Sequence, residues 1–275
     1  MEIFPYGRKE MRNKAIFVSF ILLFLYLPLW NQNHTEKADQ KEMGQSELES
    51  FLRTAEITLI EKGKIPGRTN AWKITLFDGK QEKQAHFKFV NFNRPTPLAD
   101  SYTYELAAYE LDKLLDLGRI PPVVCREIDG VIGSLQIRIE NCIPLDALQR
   151  RNLRPPDTEA FQNSLEELNV FENLVYCERK ELDDVLIEQE NWKVLRVDFG
   201  EAFDPSPTLI PDQEITRCSK KLFEKLAKLD EDVIISKLGE LLNKNEMSML
   251  FERKALIIKT IQTLIQAQGE EAVLF

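Results

Sequence analysis

After fourteen mixed residues the chain carries a sixteen-residue apolar run at 15–30 (AIFVSFILLFLYLPLW), and a polar, turn-rich stretch follows at 31–50. From Phe51 the pattern becomes that of a folded body. Trp72, Ile74 and Leu76 alternate with polar positions, Asp78-Gly79 supplies turn chemistry, and His86-Phe87-Lys88-Phe89-Val90 returns, which predicts a β-hairpin over 71–90. Tyr104, Ala107, Ala108, Leu111, Leu114 and Leu115 then fall on one helical stripe, so 101–117 is expected to be a helix that Gly118 stops. Two further strands, 123–127 and 131–140, flank the hairpin turn Asp129-Gly130.

Beyond Pro144 the period is mostly helical. Asp157 is placed to cap a helix carrying Phe161, Leu165, Leu168, Phe171 and Val175, and helical patterns recur over 214–228, 230–243 and 245–267. Between them lies one β-rich pair, 185–188 and 192–197, that reads as an antiparallel hairpin. Such a hairpin brings the start of its first strand beside the end of its second, so Asp184 and Asp198 are expected to sit together, with Glu178 just upstream. Paired carboxylates on a rigid support suit a hard cation such as Mg2+ or Mn2+ carrying phosphate groups.

The resulting division is a cytosolic N-terminus at 1–14, a membrane-spanning or signal-anchor segment at 15–30, a flexible stem at 31–50, a β-rich lobe at 51–142 and a helical lobe at 143–275. The fold class is α+β. Arg8, Lys9, Arg12 and Lys14 precede the apolar run, which keeps the N-terminus in the cytosol and places the body outside it, periplasmic or lumenal. A cleaved signal, giving an exported soluble protein, and a cytoplasmic body are the alternatives. The run is just short of the ~17–25 residues usual for a span.

Composition narrows the chemistry. The 275 residues are 43% hydrophobic and 29% charged with a net charge of -9, and no concentrated basic surface appears, so nucleic acid is not an expected partner. Four cysteines without metal-ligand spacing and two histidines leave little for thiolate or imidazole chemistry. Gly63 and Gly67 around Ile65-Pro66 read as a turn rather than a phosphate loop.

The segments GRTNAWKITLFDG, AHFKFVN, SYTYELAAYELDKLLDLGRIPPVV, GSLQIRIEN, FENLVYCERKELDDVLIE, WKVLRVDFGEAF and ITRCSKKLFEKL occur in that order. Together they resemble an atypical kinase family that joins HipA-like and phosphatidylinositol-kinase-like folds to the secretory-pathway kinases related to the Golgi casein kinase. Bacterial members look closest. The resemblance covers roughly residues 50–265 and implies a two-lobed kinase-like fold that uses ATP and Mg2+ or Mn2+ to phosphorylate a hydroxyl of a protein, lipid or small molecule.

By the same resemblance Lys88 matches the phosphate-binding lysine and Glu105 its helical partner. The stretch from Ile139 to Cys142, with Glu140 and Cys142, matches the hinge that meets adenine, and Asp198 matches the metal-binding aspartate. The catalytic loop departs from the family's Asp-Arg-Asn and later Asn: here it reads Cys177-Glu178-Arg179-Lys180-Glu181-Leu182-Asp183-Asp184. Glu178 then stands for the catalytic aspartate, and Asp183 or Asp184 for the metal-binding asparagine. That departure leaves three functions open: an active kinase, a pseudokinase that binds nucleotide without turnover, and a binding module that keeps the fold alone.

Overall fold

The computed structural model describes residues 43–63, 70–92, 99–179 and 181–275. The expected anchor at 15–30, most of the stem and the Ile65-Pro66 turn lie outside the described residues. Among the described residues no helix is long and apolar enough to cross a membrane.

Among the described residues helix α1 (Gln45–Thr54) comes first, so positions 45–50, read from sequence as stem, are helical. Its Phe51 and Leu52 are buried against the sheet, which explains why a short polar-looking helix holds there. Strands β1 (Glu56–Glu61), β2 (Trp72–Phe77) and β3 (Glu82–Lys88) follow, then the short pair β4 (Asn91–Phe92) and β5 (Asp100–Ser101). Helix α2 (Tyr102–Leu115) leads to β6 (Val123–Ile128) and β7 (Val131–Ile137). The five longer strands form one antiparallel sheet in the order β1-β2-β3-β7-β6.

The turn residues behave as their chemistry demands. Asp129 (φ 54°) and Gly130 (φ 75°) both take positive φ between β6 and β7, the requirement of a tight two-residue hairpin. Gly133 on β7 serves close packing instead, because a Cβ there would lie 2.3 Å from the Lys88 carbonyl oxygen and 2.8 Å from the Phe87 ring. Only glycine lets β7 close onto the strand that carries Lys88.

Helix α2 begins on Ser101, whose hydroxyl accepts from Thr103 N, and ends at Asp116 in the left-handed conformation (φ 52°), two residues before the expected stop at Gly118. It contacts β6 and β7 on one side and the later helices on the other. Its Tyr104, Ala107, Ala108, Leu111 and Leu115 are buried in the same core as the helical body. The sheet closes its own core with α1.

After β7 the chain forms β8 (Cys142–Pro144), α3 (Leu145–Arg150) and α4 (Thr158–Val175), the last capped by Asp157 as expected. A 3-10 turn (Leu182–Asp184) then enters β9 (Val185–Glu188) and β10 (Val194–Arg196), and helices α5 (Lys220–Lys228), α6 (Glu231–Leu238), α7 (Lys244–Gln268) and α8 (Glu270–Val273) finish the chain. The β9-β10 hairpin is present, but β8 pairs on its other edge to make a three-stranded sheet. The second strand is also shorter than the expected 192–197. Trp192 has φ 59° and packs edge-on against Phe161, so it belongs to the turn. All four cysteines are free thiols, with Cys177 and Cys218 buried and Cys125 exposed.

Candidate functional site

Three of the residues singled out in the sequence meet at one ammonium group. Lys88 is the last residue of β3, and its Nζ lies 2.5 Å from Glu105 Oε1 on α2 and 2.7 Å from Asp198 Oδ1 beyond β10. Glu105 is almost fully buried while the Asp198 side chain is half exposed. Desolvation by itself would lower the lysine's pKa, but the charges of Glu105 and Asp198 outweigh it and raise the pKa, keeping the ammonium charged. Burial would likewise raise the Asp198 carboxyl, yet the charge and hydrogen bond of Lys88 hold it below the usual carboxylate range. The centre is thus a fixed cation between two fixed anions.

The backbone around Asp198 is held as firmly. Asp198 has φ 65°, a left-handed conformation that aspartate tolerates better than most residues. Phe199 N donates to Glu105 Oε2 at 3.1 Å, and the buried Phe199 ring meets Phe171 at 5.8 Å and 86°. Ser101 N donates to Gly200 O at 2.9 Å. One end of α2 therefore grips the whole Asp198-Phe199-Gly200 turn.

Gly200 leaves room for the Asp100 side chain in this grip. A Cβ at that position would lie 2.2 Å from Asp100 Oδ1, so the carboxylate would have to turn aside. Gly200→Ala is therefore expected to displace the Asp100 side chain and leave the start of α2 in place, costing about 1 kcal/mol or less. A urea titration of the variant checks the cost, and a loss well above about 1 kcal/mol would contradict this.

The entry to β9 meets the exit from β10, which brings the backbone of Asp184 beside the turn that carries Asp198. Val197 N donates to Asp184 O at 3.0 Å, and Arg196 pairs with Val185 in the ladder. Desolvation pushes the Asp184 carboxyl up to about 6; Arg196 and Lys88 oppose the rise while the charges of Asp198 and Asp183 add to it. Asp184 Oδ2 lies 3.1 Å from Arg196 Nη1. Carboxylate oxygens of Glu181, Asp183 and Asp184 also lie within 4.8 Å of one another, a set of hard donors of the kind divalent cations take.

The remaining expected residues are placed less centrally. Glu178 is exposed, on the loop that follows the left-handed end of α4 at Tyr176 (φ 47°). Its neighbours are fixed: Cys177 is buried, and Arg179 N donates to Gln213 Oε1 at 2.8 Å. Burial raises the Cys177 thiol to about 12, which removes it from nucleophilic chemistry at neutral pH. Glu140 is exposed and Cys142 half-buried. Their segment is strapped to the β9 hairpin, with Cys142 opposite Glu188 and Gln189 N donating to Asn141 O at 3.0 Å.

Sequence reasoning missed a buried ionic network beneath the site. Glu172 on α4 and Arg196 on β10 are essentially inaccessible to solvent, and Arg196 Nε lies 3.3 Å from Glu172 Oε1. Glu172 also receives Arg179 through Nε at 3.1 Å and through Nη2, and Gln213 Nε2 at 3.2 Å. The available signal was an arginine inside the apolar run VLRV and a glutamate inside VFENLV, two charges at positions whose pattern calls for burial.

No protein-family model matches the chain, and no curated protein matches its sequence. Solved structures do match. A hydra Fam20 protein, determined with a sugar, superposes with a TM-score of 0.64 at 15% identity over 84% of this chain and 91% of its own. The Helicobacter pylori proinflammatory kinase CtkA superposes with a TM-score of 0.50 at 12% identity over 80% of this chain and 98% of its own. CtkA is a kinase, and the chain shares the fold of both neighbours, the kinase-like fold that its sequence motifs resemble.

Proposed function

We propose that the protein is an ATP-dependent phosphotransferase acting on a hydroxyl group of a protein, lipid or small molecule. The observation that carries this reading is the Lys88 bridge: one strand lysine held between a buried helix glutamate and an exposed aspartate on a strained turn. Lys88 would receive the phosphates, with Glu105 fixing its position. Asp198 and Asp184 offer the oxygen donors that Mg2+ or Mn2+ prefers, and the metal supplies charge neutralisation along the phosphates when bound. Glu178 would orient the acceptor hydroxyl, and the segment from Ile139 to Cys142 would meet the adenine.

A pseudokinase reading has one observation in its favour: Asp184 is already paired with Arg196, and Asp198 with Lys88. Both candidate metal donors therefore carry an internal cation. The apolar run at 15–30 supports attachment to a membrane, with the body on the far side from the cytosol.

Thermal unfolding of the protein with ATP and Mn2+ separates the readings. A ligand present at 100 times its Kd stabilises by about 2.7 kcal/mol, enough to raise Tm by several degrees. A metal-dependent rise is expected, together with release or transfer of the γ-phosphate. A rise without turnover would favour the pseudokinase, and no rise at all would leave a binding module with the fold alone.

A further inference from the structure

We propose that Arg196 is a positioning residue that cancels the charge of Asp184, so that the pair presents a neutral oxygen donor, and no second negative charge, to a metal–nucleotide bound beside Asp198. The inference rests on the nucleotide-binding part of the function proposed above. The charge balance of the site demands such a residue. Asp198 is paired with Lys88, which it already shares with Glu105, and Arg196 reaches it only as a more distant charge. A second uncompensated carboxylate at Asp184, next to it across the β9-β10 hairpin, would repel the phosphates that Lys88 is placed to receive.

Arg196 meets that need without leaving its place. Its guanidinium spans two carboxylates, Nε on Glu172 at 3.3 Å and Nη1 on Asp184 at 3.1 Å. Nη1 also donates to the Val197 carbonyl, and the guanidinium carbon lies 5.5 Å from the centre of the Phe199 ring. These partners fix the planar fork on all sides, and the side chain is only 2% exposed. A surface arginine could swing out toward the phosphates; this one is held against Asp184, and from there its charge also reaches Asp198. Glu172 in turn keeps Arg179 as a second partner, so removing Arg196 does not strand the glutamate.

A double-substitution cycle read by binding tests the inference. Affinity for adenylyl imidodiphosphate with Mn2+ is measured by calorimetry on the full chain, for the unsubstituted protein, Arg196→Met, Asp184→Asn and the pair together. Arg196→Met should weaken binding by about tenfold or more at a pH high enough to keep Asp184 ionised, since losing the arginine also removes what opposes the upward shift of that carboxyl. Adding Asp184→Asn should return the affinity to within about threefold of the unsubstituted protein, as expected when two side chains act as one unit. If Arg196→Met fails to fold, Arg196→Gln, whose amide still donates toward Glu172, gives the same cycle.

Weakening that Asp184→Asn does not relieve would overturn the inference, because a merely structural role for Arg196 gives no such rescue. It would leave the nucleotide-binding function intact. Absence of binding by the unsubstituted protein would overturn that function, and this inference with it.

Discussion

Glu172→Ala should lower the unfolding free energy by about 3–5 kcal/mol, the cost of breaking a buried pair by removing one partner. The carboxylate is fully buried and receives Arg179, Arg196 and Gln213 together. Arg196 would retain Asp184 and the Val197 carbonyl, but Arg179 would lose the two guanidinium hydrogen bonds that it donates to Glu172. Against a typical total of about 5–15 kcal/mol such a loss is large, and it would appear as a lower urea midpoint at unchanged slope. A change below about 1 kcal/mol would mean that the network contributes no more than a surface ion pair. Because Arg179 adjoins Glu178, the same substitution should also loosen the loop proposed to orient the acceptor.

The second large effect is expected at Asp198. Asparagine is the informative replacement, since it tolerates the left-handed φ of 65° nearly as well as aspartate, whereas alanine would add backbone strain of about 1–2 kcal/mol. Asp198→Asn keeps the fold, because the turn is also tied by Phe199 N to Glu105 and by Gly200 O to Ser101 N. It removes the charge that Lys88 and a divalent cation share. Metal stabilisation of transferring phosphoryl groups is worth several kcal/mol, so turnover of ATP should fall by about 10³-fold or more while Tm moves little. Steady-state release of phosphate in the presence of Mn2+ measures it, and turnover equal to that of the unsubstituted protein would remove Asp198 from the mechanism.

How much of this was legible in the sequence follows from the range of each interaction. The hairpins at 71–90 and 123–140 could be read because alternation and the Asp-Gly turns are local signals, and both turns formed, though the last strand ends at Ile137. Lys88, Glu105 and Asp198 could be picked out because the motifs around them follow, in order, those of the kinase family they resemble, though only the fold shows that one ammonium touches both carboxylates. The pairing of β8 with β9 was not legible: it joins Cys142 to Glu188, far apart in the chain, with no turn to announce it. Gly133 and Gly200 looked like ordinary glycines until the Lys88 carbonyl and the Asp100 carboxylate were found against them.

Charged residues inside apolar runs gave half a signal. The runs VLRV and VFENLV call for burial of Arg196 and Glu172, yet neither run names the partner that a buried charge needs. Here each buries the other, and a partner distant in sequence leaves no local trace. Trp192 misled outright, because an aromatic beside a β-rich run suggests strand, while its positive φ places it in the turn.

The central claim, a nucleotide site built on Lys88, is tested most directly by titrating ATP into the full chain with and without Mn2+, beside Lys88→Ala. The expected result is binding that depends on the metal and weakens at least about tenfold in the variant, as the loss of a charge-assisted phosphate contact should. Equal affinity in the two proteins, or no binding by either, would contradict it.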